Sequence, residues 1–195
     1  MRGRRKRQRR GHAKGWQRRV GPGAAVGVVL LGAILAGMAD ELTQEADKLL
    51  GNLFRPQGAI LSGRVRVIDG DSLEVDGRAV RLFGIDAVER NQMCQDRNGA
   101  DWPCGRQATE ALAAAFGGKT VRCLVQDTDR YGRAVSVCKA GGTDISRWVV
   151  RSGWAVAYTR HSRDHEPAEA AARADKSGIF AGSFILPEDW RRQQR

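Results

Sequence analysis

The dipeptide Asp76-Gly77 lies between two alternating runs, Ser72-Leu73-Glu74-Val75 and Ala79-Val80-Arg81-Leu82-Phe83. Aspartate and glycine tolerate the left-handed backbone of a two-residue type I′ turn, so the pattern predicts a tight β-hairpin. A hairpin folded about that turn sets its own register and brings Asp71 opposite Leu82. Upstream, Arg64-Val65-Arg66-Val67 alternates in the same way. Downstream, Thr120–Val125 and Arg133–Cys138 read as two further strands joined across Asp129-Arg130-Tyr131-Gly132. Before them, Gln107–Phe116 carries Ala108, Leu112, Ala115 and Phe116 on one helical stripe and ends at Gly117. Helical patterns recur near Asp144–Arg151 and Pro167–Lys176, with Gly178 closing the last. Five strands in a meander, with a helix inserted before the fourth, predict a mainly β, α+β domain: a five-stranded OB-fold barrel with packed helices.

Charge is distributed unevenly. Of 33 Lys and Arg residues, ten fall in residues 1–39, which contain no acid; the remainder holds 23 basic and 22 acidic residues. The net charge of +11 is therefore a property of the N-terminal segment, and a nucleic-acid partner has to be argued from local chemistry. Val20–Ala39 is an uncharged apolar run, long enough to span a bilayer as a helix. The expected organisation is a basic cytoplasmic segment (1–19), a transmembrane anchor or signal peptide (20–39), a stalk (40–57), the barrel domain (58–186) and a basic tail (187–195), frayed over Trp190–Arg195. The basic flank would stay in the cytoplasm and direct the domain to the outer face of a bacterial-type membrane. Cleavage after Gly37-Met38-Ala39 would instead release it as a secreted protein. No obligate protein partner is indicated.

None of the four cysteines forms a C-x-x-C pair, which argues against zinc. Cys123 and Cys138 are symmetric about the predicted Asp129–Gly132 turn, and Cys94 and Cys104 bracket a loop containing Asn98-Gly99 and Pro103. In an exported domain these spacings predict disulfides Cys94–Cys104 and Cys123–Cys138; four buried thiols are the alternative.

Acids and arginines gather around the hairpin and the turns after it: Asp69, Asp71, Arg81, Asp86 and Glu89, with Arg133 later. If the strand after the hairpin stays extended, Leu82, Gly84 and Asp86 share a face, so Asp71 and Asp86 converge at one end of the barrel. Two converging carboxylates suit a hard cation, and arginine suits bidentate phosphate contact. The same parity places Arg81 on the opposite face. His161 and His165, four residues apart, lie in a charged stretch that reads as solvated surface. Trp102, Trp148, Trp154 and Trp190 read as packing residues.

Three motifs, Val67-Ile68-Asp69-Gly70-Asp71-Ser72, Arg81-Leu82-Phe83-Gly84-Ile85-Asp86-Ala87-Val88-Glu89 and Asp129-Arg130-Tyr131-Gly132-Arg133, resemble the staphylococcal nuclease (thermonuclease-like) family. Their order fits, and the resemblance extends over about residues 60–186, to Lys176-Ser177-Gly178-Ile179-Phe180. It implies an OB-fold nuclease that uses one Ca²⁺ to hydrolyse phosphodiesters of DNA, RNA or both. It implies that Asp71, Asp86 and the backbone carbonyl of Ala87 hold the metal, and that Glu89 positions or activates the attacking water. Arg81 and Arg133 would hold the scissile phosphate, Asp69 would support the metal ligands, and Tyr131 would line the nucleotide pocket. Tyr158 is a further candidate for nucleotide contact. Val88 departs from the proline usual before the glutamate, which removes a rigid φ beside two site residues. A catalytically weak nucleic-acid-binding or envelope interaction module is the alternative function.

Overall fold

The computed structural model describes residues 58–194. The expectations for the basic segment, the anchor and the stalk (1–57) lie outside the described residues. Among the described residues no helix is long and apolar enough to cross a membrane.

In chain order, β1 (Ile60–Val67), β2 (Ser72–Val75), β3 (Arg78–Leu82) and β4 (Ile85–Ala87) come first, followed by the short pair β5 (Cys94–Gln95) and β6 (Asp101–Trp102). Helix α1 (Cys104–Phe116) leads to β7 (Thr120–Thr128), β8 (Ala134–Ala140) and β9 (Thr143–Asp144). Then come α2 (Ile145–Arg151), β10 (Ala155–Ala157), α3 (Glu166–Ala174), a 3₁₀ turn (Gly178–Ala181) and α4 (Pro187–Gln193).

The main sheet runs β3-β2-β1-β7-β8-β9, and a parallel β3–β8 pairing closes its first five strands into a barrel. Alternation supplies the core: Leu61 and Val65 of β1, Val121, Cys123 and Val125 of β7, and Ala134, Cys138 and Ala140 of β8 are buried. The period-2 pattern thus puts one face of each strand inside. The hairpin has the expected register, with Ser72 paired to Arg81 and the Leu82 N–H donating to the Asp71 carbonyl at 2.8 Å. Asp76 and Gly77 both take positive φ, 51° and 74°, as a type I′ turn requires.

Both expected disulfides are present, Cys94–Cys104 and Cys123–Cys138. Cys123 faces Cys138 directly across the β7–β8 ladder, and both are fully buried. Trp102 packs edge-on against Trp154 with ring centroids 6.2 Å apart, and Trp148 packs against Phe116 at 5.1 Å.

The boundaries shift where tertiary contacts act. Helix α1 starts at Cys104, ahead of the amphipathic stripe, because Cys104 and Gly105 are buried against the Glu89 turn and the disulfide ties the first residue. Helix α3 ends at Ala174, and Lys176 adopts φ 50°. Gly178 begins the 3₁₀ turn where it was expected to end a helix. The expected frayed tail is a helix. Pro187 occupies the first turn of α4, with Glu188 and Asp189 beside it and Arg191 and Arg192 in the last turn. This order complements the helix dipole, a local signal that the count of basic residues hides.

Candidate active site

The site forms where the hairpin ends. Asp71 directly precedes β2, and its N–H donates to Asp69 Oδ1 at 3.1 Å. That local bond fixes the direction in which the Asp71 carboxylate leaves the chain. Its Oδ2 accepts the Ala87 N–H at 3.2 Å, and its Oδ1 accepts the Ser72 hydroxyl at 3.1 Å. Asp86 lies on β4, opposite Val156 of β10. Both carboxylates are buried, at 5% and 2% exposure.

The parity expectation for Arg81 is overturned. Its guanidinium forks onto Asp71, with Nη1 to Oδ1 at 3.0 Å and Nη2 to Oδ2 at 2.9 Å, and Nη2 also reaches Asp86 Oδ1 at 2.9 Å. Asp71 lies just ahead of β2, where its bond to Asp69 turns it out of the ladder, and on the Asp86 side the chain turns at Gly84, which has φ 75°. That turn ends β3 and starts a separate strand paired to β10, so alternation cannot be counted through it. A Cβ at Gly84 would lie 3.0 Å from His165 Cδ2, which leaves little room for any other residue at the bend. His165 is buried there, and its Nδ1 has no partner among the described residues. His161 is exposed beside the Tyr158 ring, with centroids 5.2 Å apart.

Arg133 Nε bonds Asp129 Oδ2 at 2.7 Å, and Nη1 bonds Ser72 Oγ at 3.1 Å. Asp129 also closes the turn by accepting the Tyr131 and Arg133 N–H groups, each at 2.9 Å. Tyr131 is 68% exposed, with the Arg130 and Arg133 guanidiniums 4.8 and 5.5 Å from its ring centre. Tyr158 is held by its N–H to the Gly84 carbonyl at 2.9 Å. Tyr131, Tyr158, Arg81, Arg133, Asp71, Asp86 and Glu89 all line one cleft of about 730 Å³.

Glu89 is placed without the proline. Its N–H donates to Gln92 Oε1 at 3.1 Å, and the Gln92 N–H donates to its carbonyl at 2.7 Å. Gln92 is fully buried and donates from Nε2 to the Ile185 carbonyl at 2.6 Å. The turn also presses on α1: a Cβ at Gly105 would sit 1.7 Å from the Glu89 carbonyl oxygen. Arg191 is a site residue that no motif in the sequence marks. Its Nη1 bonds Glu89 Oε1 at 2.7 Å and Asp86 Oδ1 at 3.0 Å, and its Nη2 bonds Asp86 Oδ2 at 2.9 Å.

Burial pushes the Asp71 carboxyl up to about 7, against the opposing pull of Arg81, and the neighbouring Asp69 and Asp86 charges add to the rise. Burial opposes charge on Arg81 and Arg191 too, but their carboxylate partners outweigh it, and both are held above the ordinary arginine range. By count, the carboxylates of Asp69, Asp71, Asp86 and Glu89 outnumber the Arg81 and Arg191 guanidiniums among them. No group of three or more His, Cys, Asp and Glu that could hold a metal is found among the described residues. The carboxylates of Asp71 and Asp86 nonetheless meet at one nitrogen of Arg81, and hard oxygen donors short of positive charge fit a divalent cation.

Residues 79–181 match the family described as Staphylococcal nuclease homologue. An uncharacterized endonuclease of Escherichia coli O157:H7 is 33% identical over 145 residues, which cover 70% of this chain and 88% of that protein. The chain belongs to the staphylococcal nuclease family. This family domain is also 38% identical over 121 residues to the succinoglycan biosynthesis protein ExoI of Rhizobium meliloti (strain 1021), covering 60% of this chain and 63% of that protein. It is 34% identical to the probable staphylococcal-like nuclease CAN1 of Oryza sativa subsp. japonica over 60% of this chain but 33% of that protein. The chain spans less than two thirds of the length of these last two relatives.

Proposed function

We propose that this domain is a metal-dependent nuclease that hydrolyses phosphodiester bonds of DNA, RNA or both in the cleft between the hairpin and α4. The observation that carries the reading is an unbroken series of contacts, Arg133–Ser72–Asp71–Arg81–Asp86–Arg191–Glu89, along one cleft.

In-line attack by water places extra negative charge on the non-bridging phosphate oxygens. Arg81 and Arg133 flank the cleft and are the groups that bind and neutralise that charge. Glu89, about a third exposed, is the carboxylate available to take the proton of the attacking water. Asp71, Asp86 and the Ala87 carbonyl would hold a divalent cation, Ca²⁺ by family, which when bound supplies Lewis-acid stabilisation of the phosphate. Asp69 holds the Asp71 main chain, and the exposed Tyr131 ring, with Tyr158 across the cleft, offers faces for a nucleotide. Two disulfides support placement of the domain in an oxidising compartment, outside the cytoplasmic membrane.

Plasmid DNA and a single-stranded RNA, each incubated with the full chain in Ca²⁺ or in chelator, test this reading. Cleavage that requires the cation is expected; intact substrate in both conditions would reject the enzyme.

A further inference from the structure

We propose that Arg191 is a positioning residue for Glu89, so that the C-terminal helix α4 is part of the active site. The inference rests on the nuclease reading and deepens it.

Main-chain contacts hold the backbone of Glu89, but its side chain has Arg191 as its hydrogen-bonding partner among the described residues. Glu89 and Asp86 are like charges three residues apart, and without a cation between them they repel. The Arg191 fork takes both oxygens of Asp86 and one of Glu89, which sets the separation of the two carboxylates and selects one Glu89 rotamer. The helix carrying Arg191 is itself secured. Gln92 reaches back to the Ile185 carbonyl at 2.6 Å, Gln95 bridges to Ser183, and Arg160 pairs with Glu188 at 3.3 Å. Val88 supplies no rigid φ before Glu89; the restraint comes from a guanidinium 102 residues further along the chain.

Arg191→Gln and Arg191→Lys in the full chain are compared with wild type on a single-stranded DNA oligonucleotide at saturating Ca²⁺, with kcat and KM measured separately. Binding of the same oligonucleotide is measured in chelator, with melting temperatures alongside. The expected result is a kcat lowered on the order of 10-fold or more in Arg191→Gln, with KM and chelator-state binding unchanged and kcat recovered in part in Arg191→Lys, whose single ammonium can bridge the two acids but cannot make the fork. Wild-type kcat in Arg191→Gln overturns the proposal. So does weaker oligonucleotide binding at unchanged kcat, which makes Arg191 a phosphate contact, or faster cleavage, which makes it an obstruction. Loss of kcat, binding and melting temperature together, without recovery by lysine, assigns Arg191 a structural role and also overturns it. A wild-type chain that does not cleave with Ca²⁺ counts against the nuclease reading itself.

Discussion

Asp71 and Glu89 face the same cleft and are held in opposite ways. Asp71 is buried, and its partners Asp69, Ser72, Arg81 and Ala87 all lie within 16 residues of it. Its position follows from the hairpin register and one further strand. Glu89 is about a third exposed, and its turn depends on Gln92, Gly105, Ile185 and Arg191. One acid is therefore set by local pairing, and the other by the closure of remote segments. Perturbations far along the chain should reach Glu89 before they reach Asp71.

The largest effects are expected at the reacting groups on both sides. Arg81→Ala, Glu89→Ala and Arg133→Ala should each lower single-turnover DNA hydrolysis by on the order of 10²–10³. Near-normal rates in all three would remove the basis for comparing the two acids as catalytic elements.

Next in size is Gly105→Ala, because the added methyl collides with the Glu89 carbonyl. The turn has to move by more than an ångström, and displacements of that size cost about 10²-fold in rate. Calorimetric Ca²⁺ binding should persist in this variant, since Asp71 and Asp86 are anchored elsewhere. Loss of cation binding together with rate would show that the two acids are not independently held.

The disulfides separate the two regions by stability. Cys123–Cys138 closes a 15-residue separation inside the barrel, so its removal should cost about 3 kcal/mol. That corresponds to a melting temperature lower by about 10 °C, with kcat of the folded enzyme unchanged. Removing Cys94–Cys104 should lower kcat as well, because it frees the start of α1 from beneath the Glu89 turn.

The effect with the least bearing on rate is on pH dependence. The folded Asp71 carboxyl, at about 7, binds its proton more tightly than in the unfolded chain, where an ordinary aspartate titrates near 3.9. Its contribution to stability is thus fully present below the unfolded value and is lost as pH rises through the folded one. In chelator, the melting temperature should fall between about pH 4 and pH 7 from this group, and Asp71→Asn should flatten that slope. Ca²⁺ should raise the melting temperature more at pH 8 than at pH 5, because it competes with the proton. An equal Ca²⁺ effect at both would separate Asp71 from the cation.

Much of the architecture was legible beforehand. Asp76-Gly77 set the hairpin and its register, alternation marked the inward residues of β1, β7 and β8, and symmetry about Asp129–Gly132 paired Cys123 with Cys138. The motifs also singled out the residues that line the cleft. Each of these signals acts across a few residues, where turn dihedrals and a period of two leave few alternatives. The side on which Arg81 lies was not legible, because Asp71 sits outside the β2 ladder and the bend at Gly84 ends the strand on which parity toward Asp86 is counted. Neither was the Gln92–Ile185 clamp or the reach of Arg191 to Glu89. Those depend on α4 docking beside β4, and no periodic pattern encodes which distant side chains meet when packed surfaces close; only the tertiary structure decided them.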